Sequence, residues 1–297
     1  MVTSHFGEIA ALLTAVFWTI TALAFEGATR RVGPFAVNFI RLFFAIIFLG
    51  MLSWFTRGLV FPADATLHNW LWLGLSGIVG FIVGDYFLFS SYPIIGSRMA
   101  MLVMTLAPPL AALLGWLVLG ETMNTKSLLG MSLVLIGIAI AIWNKPNGER
   151  IRLKFPLKGL LFALIGALGQ GGGIVLSKYG MGQYNAFAAT QVRALVAISG
   201  FVIIITLLGR WGNVHKAFSN KPAFRRIFLG SFFGPFLGVS FSLLAVQHTD
   251  VGIASTLMAL VPVLIIAPSV VLMKQKVTPA EVGGAFLSVA GVALFFV

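Results

Sequence analysis

Long uncharged stretches recur along almost the whole chain, and residues 9–25 and 128–143 are two examples. Of the 297 residues, 59% are hydrophobic and only 9% are charged. A soluble globular domain has about 45–50% apolar and about 25% charged residues. This chain has too few charges to cover a surface exposed to water, so its outer surface must face lipid. The composition therefore predicts an integral membrane protein and excludes a soluble enzyme, a secreted domain or a disordered chain.

The apolar stretches have the length of membrane-spanning helices. A spanning helix needs about 20 residues, whereas a strand of a membrane barrel needs about 10 residues of alternating polarity. Residues 9–25 and 128–143 are apolar on every side, which favours helices. We predict an all-α integral membrane protein with ten transmembrane helices, over residues 6–25, 34–55, 69–92, 98–119, 126–143, 156–177, 186–208, 223–246, 252–273 and 279–296.

The two halves of the chain are related by a nearly constant shift in residue number. Adding 152 relates Arg41 to Arg193, and an arginine inside a membrane segment is uncommon enough to make this match informative. Each predicted half, 1–148 and 149–297, holds five helices. Because five is an odd number of membrane crossings, the second half enters the membrane from the opposite side and is inverted relative to the first. We therefore expect two inverted five-helix repeats around a central cavity, as in many secondary transporters. A shift of 154 adds the pairs Gly80 with Gly234, Gly84 with Gly238, Pro108 with Pro262, and Gly137 with Gly291.

One segment of the first half carries a recognisable motif. Residues 98–121 include Ala-Pro-Pro-Leu-Ala-Ala at 107–112 and Leu-Gly-Glu at 119–121. Together with the Asn-Phe-Ile-Arg run at 38–41, this pattern resembles the drug/metabolite transporter superfamily, and within it the EamA-type ten-helix exporters. The resemblance covers both halves of the chain. It implies export of amino acids and related metabolites, but its motifs do not define the substrate.

Two ionisable side chains lie well inside predicted helices, where a charge is costly unless it pairs or lines a wet cavity. Arg41 lies seven residues into the second helix, and Asp85 lies about as far from the end of the third. In an alternating topology these two ends share one side of the membrane, so we expect an ion pair. The pair either locks the fold or takes part in transport, with Asp85 binding a coupling proton or cation. Glu26, near the end of the first helix, is expected at the interface, with a gating role as the alternative.

The second half lacks the acidic partner of this pair. Arg193 matches Arg41, but the position that matches Asp85 is Val239, with Ser240 beside it. An arginine without a fixed partner is available to an anionic ligand, because its guanidinium binds a carboxylate through two hydrogen bonds. The alternative is that Arg193 extends to the interface or bonds backbone carbonyls.

Helix breakers and aromatic side chains complete the candidate site. Matched breaks in two halves mark the binding region of several transporter folds, although proline and glycine are also common in membrane helices. Trp18 lies mid-helix at the position that matches Gln170, and Tyr86 adjoins the acidic residue of the third helix. The candidate cavity residues are Trp18, Asn38, Arg41, Asp85, Tyr86, Gln170, Gln191, Arg193, Ser240 and Phe241, and the candidate helix breaks near the cavity are Pro108, Gly171, Gly172 and Pro262.

Motifs for ATP hydrolysis and for metal binding are missing from the sequence. The chain has no G-x-x-x-x-G-K-[ST], no H-E-x-x-H and no cysteine. We expect no cofactor, no metal and no enzymatic activity, and we predict a secondary-active exporter of small metabolites such as amino acids that works by alternating access. An exporter of cationic drugs or guanidinium-like solutes is the closest alternative. An intramembrane enzyme and a passive channel are the alternatives from other classes.

The expected partners are a small-molecule substrate, a coupling proton and the lipid bilayer. No nucleic acid is expected, because the net charge of +12 is explained by basic connections at the membrane surface. A monomer is compatible with the sequence, and the bacterial inner membrane is the expected location. Lysine and arginine are concentrated on the face opposite the termini, so the positive-inside rule places both termini outside. The resemblance implies cytoplasmic termini, and the two arguments conflict.

Overall fold

The chain forms a bundle of helices in a computed structural model that describes residues 5–120, 125–144, 152–153, 155–274 and 277–294. The predicted boundary between residues 148 and 149 lies outside the described residues. Among these described residues, six helical runs are long and apolar enough to cross a membrane, which confirms the prediction of a helical membrane protein. These runs are Phe6–Arg57, Leu67–Leu119, Leu157–Met181, Ala186–Leu207, Lys221–His248 and Val251–Val271.

The described elements, in chain order, are almost entirely helical. The first half holds α1 (Phe6–Arg57), α2 (Leu67–Gly77), the π-helical segment Ile78–Asp85, α3 (Tyr86–Val103), a 3-10 turn (Met104–Leu106), α4 (Ala107–Leu119) and α5 (Thr125–Ile142). A short antiparallel pair follows, β1 (Trp143–Asn144) with β2 (Arg152–Leu153). The second half holds α6 (Leu157–Met181), α7 (Ala186–Leu207), α8 (Trp211–Ser219), α9 (Lys221–Ser231), the π-helical segment Phe232–Gly238, α10 (Val239–His248), α11 (Val251–Met258), α12 (Val261–Leu264), α13 (Ile266–Met273) and α14 (Pro279–Ala293).

The helical run α1 is more than twice as long as a membrane is thick, and it folds back on itself. As a straight helix it would extend about 78 Å, against about 30 Å of hydrocarbon. Gly33 breaks it with φ 80° and ψ 165°, a conformation that favours glycine, and Pro34 lacks an amide hydrogen. The guanidinium of Arg41 lies 5.9 Å from the centre of the Phe25 ring. A straight helix would separate these residues by about 24 Å, so α1 is a helical hairpin with its turn at Gly33.

A second glycine, Gly96, breaks α3 in the same way, with φ 77° and ψ 156°. Across this break the Tyr92 hydroxyl lies 3.7 Å from the sulfur of Met101. In the second half the matching positions are Asn185 and Asp250, which are the residues before α7 and α11. The breaks therefore follow the sequence repeat. They are single glycines in the first half and lie in loops between helices in the second.

Two π-helical segments also occupy matching positions in the two halves. The first covers Ile78–Asp85, and adding 154 to its first residue number gives the start of the second, Phe232–Gly238. Pro235 disturbs the helical hydrogen bonding of the second segment, because proline has no amide hydrogen. π-Helical turns are frequent at functional sites, since they change the face on which the following side chains emerge. Sequence periodicity did not predict either segment.

Glycines bring the first π-helical segment into backbone contact with α6. A Cβ at Gly169 would lie 2.5 Å from Gly84 Cα, and a Cβ at Gly173 would lie 3.0 Å from Gly80 Cα. The hydroxyl of Ser76 donates to the Gly173 carbonyl at 2.6 Å. In a membrane, such small-residue contacts and interhelical hydrogen bonds are the main source of helix association. They join the two halves of the chain beside the candidate site.

The bundle has two ends. At the proximal face, where α1 begins, a Cβ at Gly7 would lie 3.1 Å from Thr249 Cβ, so the start of α1 meets the end of α10. At the distal face, where α1 turns at Gly33, a Cβ at Gly27 would lie 1.8 Å from Arg226 Nη1. The turn of α1 therefore packs against α9, and each face brings elements of both halves together.

Candidate functional site

A small cavity lies in the middle of the bundle, where α1 and α3 of the first half meet α6 and α7 of the second. Its volume is about 60 Å³, room for a few water molecules. Five of the predicted residues line it: Trp18, Arg41, Asp85, Gln170 and Arg193. The other lining residues are Thr21, Ala22, Phe81, Leu88, Phe89, Tyr92, Met101, Met104, Gly234 and Val239.

The predicted ion pair between Arg41 and Asp85 is present on the wall of this cavity. Arg41 Nη2 donates to Asp85 Oδ2 at 2.5 Å, and Arg41 Nε donates to Asn38 Oδ1 at 3.0 Å. Asn38 is held in turn by a 3.0 Å bond from its Nδ2 to the Pro34 carbonyl. The proline that ends the turn of α1 therefore helps to orient the arginine. Asp85 keeps 12% of its side chain accessible, and its Oδ1 has no hydrogen-bond partner in the described part of the chain.

The second arginine, Arg193, is equally buried, and Asp85 is close enough to act on its charge without forming an ion pair with it. It is 4% exposed, and its guanidinium carbon lies 4.7 Å from the centre of the Phe81 ring. Its Nε has no hydrogen-bond partner, and none of the carboxylates in the described residues forms an ion pair with it. Gly80 leaves the space that the side chain occupies, since a Cβ there would lie 3.0 Å from Arg193 Nη2. Arg193 therefore lines the cavity, and its Nε has no hydrogen-bond partner among the described residues.

Trp18 and Gln170, which match each other in the repeat, are held by matching glycines. A Cβ at Gly238 would lie 2.8 Å from Trp18 Nε1, and a Cβ at Gly84 would lie 3.4 Å from the backbone nitrogen of Gln170. Both glycines belong to the π-helical segments. The cavity therefore lies on the interface between the repeats.

A second cavity, of about 30 Å³, adjoins the first and shares Trp18, Gln170, Met101 and Met104 with it. It is largely apolar. The predicted helix breaks Pro108, Pro262 and Gly171 all line it, together with Thr105, Ala107, Ile174, Ser255, Met258, Ala259 and Val261. The matched prolines of the two halves thus meet at one cavity.

Comparison with known proteins identifies the family. A model of the EamA-like transporter family matches residues 5–143 and, a second time, residues 157–297. The chain belongs to the EamA-like transporter family. It is a multi-pass membrane transporter built from two repeats, in a family that is not one of enzymes.

Two further comparisons concern individual proteins. No curated protein matches this transporter. A solved structure, described only as "Crystal structure of protein", is similar over 97% of this chain and 96% of its own, with a TM-score of 0.69 and 19% sequence identity. At that identity the similarity shows the shared fold alone.

The remaining predicted residues of the transporter lie outside both cavities. Tyr86 packs on the Phe35 ring at 4.7 Å, and Phe241 packs edge-on against Phe17 at 5.6 Å. Gln191 Nε2 donates to the Val60 carbonyl at 2.8 Å and lines a separate apolar groove of about 530 Å³. Asn38 acts through Arg41, as described above. Ser240 is buried, with no hydrogen-bond partner for its hydroxyl among the described residues, and a Cβ at Gly172 would face Val79 and Leu114.

Sequence reasoning missed several lining residues. Phe81 is an aromatic neighbour of the ion pair, and Met101, Met104 and Met258 line the apolar part of the site. In a chain with 27 phenylalanines and 10 methionines, no spacing separates these residues from those that pack elsewhere or face lipid. The position of Phe81 is a weak indication, because it lies four residues before Asp85 and therefore about one helical turn away, on the same side of the helix.

A third charged cluster lies at the proximal face, outside the membrane-spanning segments. Asp64 accepts hydrogen bonds from Arg57 and, at 2.9 Å, from the Tyr184 hydroxyl. Burial acts to raise the pKa of Asp64, but the hydrogen bonds from Arg57 and Tyr184 outweigh it and hold that pKa below its usual value. The cluster ties the connection after α1 to the connection before α7.

Proposed function

We propose that this transporter is a secondary-active exporter of small metabolites such as amino acids, and that it works by alternating access without ATP. The observation that carries the proposal is Arg193, a buried arginine with an unpartnered Nε in a cavity between the two repeats. Secondary transporters of the inverted-repeat class bind substrate at such an interface. We place the protein in the bacterial inner membrane.

We infer ten membrane passes, arranged as two inverted five-helix repeats around the central cavity. The runs Phe6–Arg57 and Leu67–Leu119 each have a glycine break near the middle, and each is long enough to cross twice. These four passes, the other four long runs, α5 and α14 make ten. We place the boundary between the repeats at residues 148 and 149, between the two segments that the family model matches.

The chemistry of the two cavities supports an amino acid as the substrate. In this proposal the substrate carboxylate binds Arg193, whose guanidinium otherwise contacts the Phe81 ring. The substrate ammonium binds the second oxygen of Asp85. An apolar side chain enters the adjoining cavity, where Met101 and Met104 supply flexible, polarisable surface. Because both cavities are small, substrate binding requires the repeats to move apart.

We assign the coupling proton to Asp85. It is the carboxylate that lines the cavity, and neutralising it would release Arg41 from its ion pair. Protonation and substrate binding would then act on the same wall of the cavity, which is the arrangement that coupling requires.

Counterflow in sealed proteoliposomes tests the proposal. Vesicles preloaded with unlabelled amino acid are expected to accumulate labelled amino acid in a saturable way. Arg193→Gln should raise the half-saturating concentration at least about ten-fold, because it removes a charged hydrogen bond. Arg193→Lys should have a smaller effect, since it keeps the charge and loses the planar fork.

Gln191→Leu is the matched control, because Gln191 lies on α7 like Arg193 but outside the cavity. It is expected to leave the half-saturating concentration unchanged. Exchange of organic cations in place of amino acids would overturn the carboxylate assignment. Conductance without saturation would identify a channel, and chemical turnover of a substrate would identify an enzyme. An unchanged affinity in Arg193→Gln would remove Arg193 from the site.

A further inference from the structure

Glu26, expected near the membrane interface with a gating role as the alternative, is buried within the protein at the distal face. It is 1% exposed. Its Oε2 accepts hydrogen bonds from the backbone nitrogen of Ser97 at 2.9 Å and from the Ser97 hydroxyl at 2.5 Å. Ser97 directly follows the glycine break of α3, so the carboxylate caps the start of the helical segment beyond that break. Glu26 thus joins α1 to the chain that continues into α4.

Arg30, whose side chain is 48% exposed, extends this contact to the backbone of α3. Its Nε and Nη2 donate to Glu26 Oε1 at 3.1 Å and 2.9 Å. Its Nη2 also donates to the Tyr92 carbonyl at 3.3 Å, and its Nη1 to the Pro93 carbonyl at 3.2 Å. Tyr92 lines the cavity that contains Asp85. The group formed by Glu26, Arg30 and Ser97, which we name the distal latch, therefore joins α1 to both sides of the glycine break in α3, next to a residue that lines the cavity.

The repeat places an opposite contact at the other face. The shift of 152 takes position 26 to Lys178, and the shift of 154 that holds from Gly80 to Pro108 takes position 97 to Val251, the first residue of α11. Lys178 Nζ donates to the carbonyl of Thr249 at 3.0 Å, at the end of α10. We name this contact the proximal latch. The residue that matches Glu26 thus bonds the chain two residues before the position that matches Ser97. The distal contact joins a carboxylate to an amide hydrogen, and the proximal contact joins an ammonium to a carbonyl.

We propose that Glu26 and Lys178 are the two gate residues of the transporter, one at each face, and that a proton opens only the distal gate. This inference rests on the proposed alternating-access function. Both latches are closed in the structure, in agreement with its small cavities. The cycle requires that one latch opens while the other holds.

The difference in chemistry makes only one latch sensitive to protons. Protonation of Glu26 removes the charge that holds Arg30 and turns an acceptor oxygen into a donor. The proximal latch has a backbone carbonyl as its acceptor, and an ordinary lysine keeps its charge below about pH 10. Acidification at the distal face is therefore expected to open that face and to leave the proximal latch closed.

The surroundings of Glu26 supply a control for this idea. Among the described residues, the charged and titratable side chains on the elements around the latch include Arg30 and Arg31 from α1, Tyr92 and Arg98 from α3, Arg225 and Arg226 from α9, and Glu281 from α14. Glu281 is the other buried carboxylate of this group, 5% exposed and 3.2 Å from Arg98 Nη2. It pairs with an arginine outside the latch, so Glu281→Gln is the matched control for Glu26→Gln.

Cysteine accessibility tests the inference, because the natural chain contains no cysteine. Ser255→Cys places a nearly isosteric reporter on the wall of the second cavity. A membrane-impermeant thiol reagent is applied to one face at a time, on whole cells and on inverted vesicles. The extent of labelling of each folded variant is divided by the extent of labelling of the same variant after denaturation at the same pH. This ratio corrects for the pH dependence of the reactivity of the thiol.

In the reporter protein, distal labelling is expected to rise several-fold in acid. Glu26→Gln should raise it by about ten-fold at neutral pH and abolish the response to acid, because charged hydrogen bonds are lost. Lys178→Met should raise proximal labelling to a similar extent at both pH values. Glu281→Gln should leave both faces unchanged. Ser97→Ala, which keeps the backbone donor, should give a smaller distal increase.

Distal labelling in Glu26→Gln that equals the reporter protein, or that keeps the response to acid, would overturn the inference. If Glu26→Gln does not give a monodisperse protein, Glu26→Asp and Ser97→Ala decide the same question. If counterflow is saturable but the latch variants label like the reporter protein, the gating role of the latches would be refuted and the proposed function would stand. If labelling differs between the two faces and responds to acid, but no counterflow is measured, the gate assignment would stand and the proposed transport function would be refuted.

Discussion

Arg41 and Arg193 occupy matching positions in the two repeats, yet their surroundings differ in one decisive residue. Arg41 faces Asp85, with an N···O distance of 2.5 Å, whereas the position that matches Asp85 in the second repeat is Val239. Both arginines share the Phe81 ring, at 5.3 Å and 4.7 Å. The repeat therefore supplies a symmetric scaffold, and the loss of one carboxylate makes the site asymmetric. Arg41 forms an ion pair with Asp85, and Arg193 is the arginine that we propose binds the substrate carboxylate.

The largest expected effect comes from removing the partner of Arg41. Asp85→Asn leaves a buried arginine without its counter-charge, which typically costs about 3–5 kcal/mol of stability. Thermal unfolding of the detergent-solubilised protein should show a large drop in Tm. Transport driven by a pH gradient should also be lost, while exchange is partly retained.

Arg41→Gln combined with Asp85→Asn is expected to recover part of that stability, because the uncompensated charge is gone. If the single variant unfolds at the same temperature as the natural protein, the pair does not hold the bundle together. If its transport still responds fully to a pH gradient, Asp85 is a structural residue and not the coupling site.

A smaller but more specific effect is expected from restoring the missing carboxylate. Val239→Asp places an acid at the position that matches Asp85, so Arg193 gains an internal partner. Amino-acid affinity in counterflow should fall by about ten-fold, because the substrate must now compete with a charged hydrogen bond. Val239→Asn has the same shape without the charge and should weaken affinity much less. Equal losses in the two variants would mean that shape, and not charge, explains the effect.

The smallest expected effect concerns the proximal connections, where the repeats also differ. The first repeat has the ion pair between Arg57 and Asp64, and the residue that matches Arg57 in the second repeat is Gly209. Because the folded protein holds the pKa of Asp64 below its unfolded value, the pair stabilises the protein above the unfolded pKa. That contribution is lost as the pH falls through the folded pKa.

Thermal unfolding of the natural protein and of Asp64→Asn, measured at several pH values, checks this expectation. The natural protein should unfold at a slightly higher temperature near neutral pH, and the difference should vanish in acid. Asp64 is 43% exposed, so the difference will be modest. A difference that persists or grows in acid would show that Asp64 acts through packing and not through its charge.

The pairing of Arg41 with Asp85 was predictable from the sequence, while the positions of its neighbours were not. Depth in a membrane follows directly from residue number, because each helical residue rises about 1.5 Å. The direction of a side chain around the helix axis does not follow so simply. Asp85, the last residue of the π-helical segment Ile78–Asp85, lines the cavity, while the next residue, Tyr86, packs on Phe35.

The sequence by itself determined the membrane environment, the helical class and the two-repeat organisation of this protein, because these depend on composition and on positions along the chain. Only the tertiary structure decided which side chains share the cavity. It turned Gln191 towards a separate groove, brought Met101 and Met104 to the site, and buried Glu26 against Ser97. These outcomes depend on the rotation of each helix about its axis, on the glycine breaks and on contacts between distant segments. In a largely apolar sequence, the pattern of residues does not indicate these features.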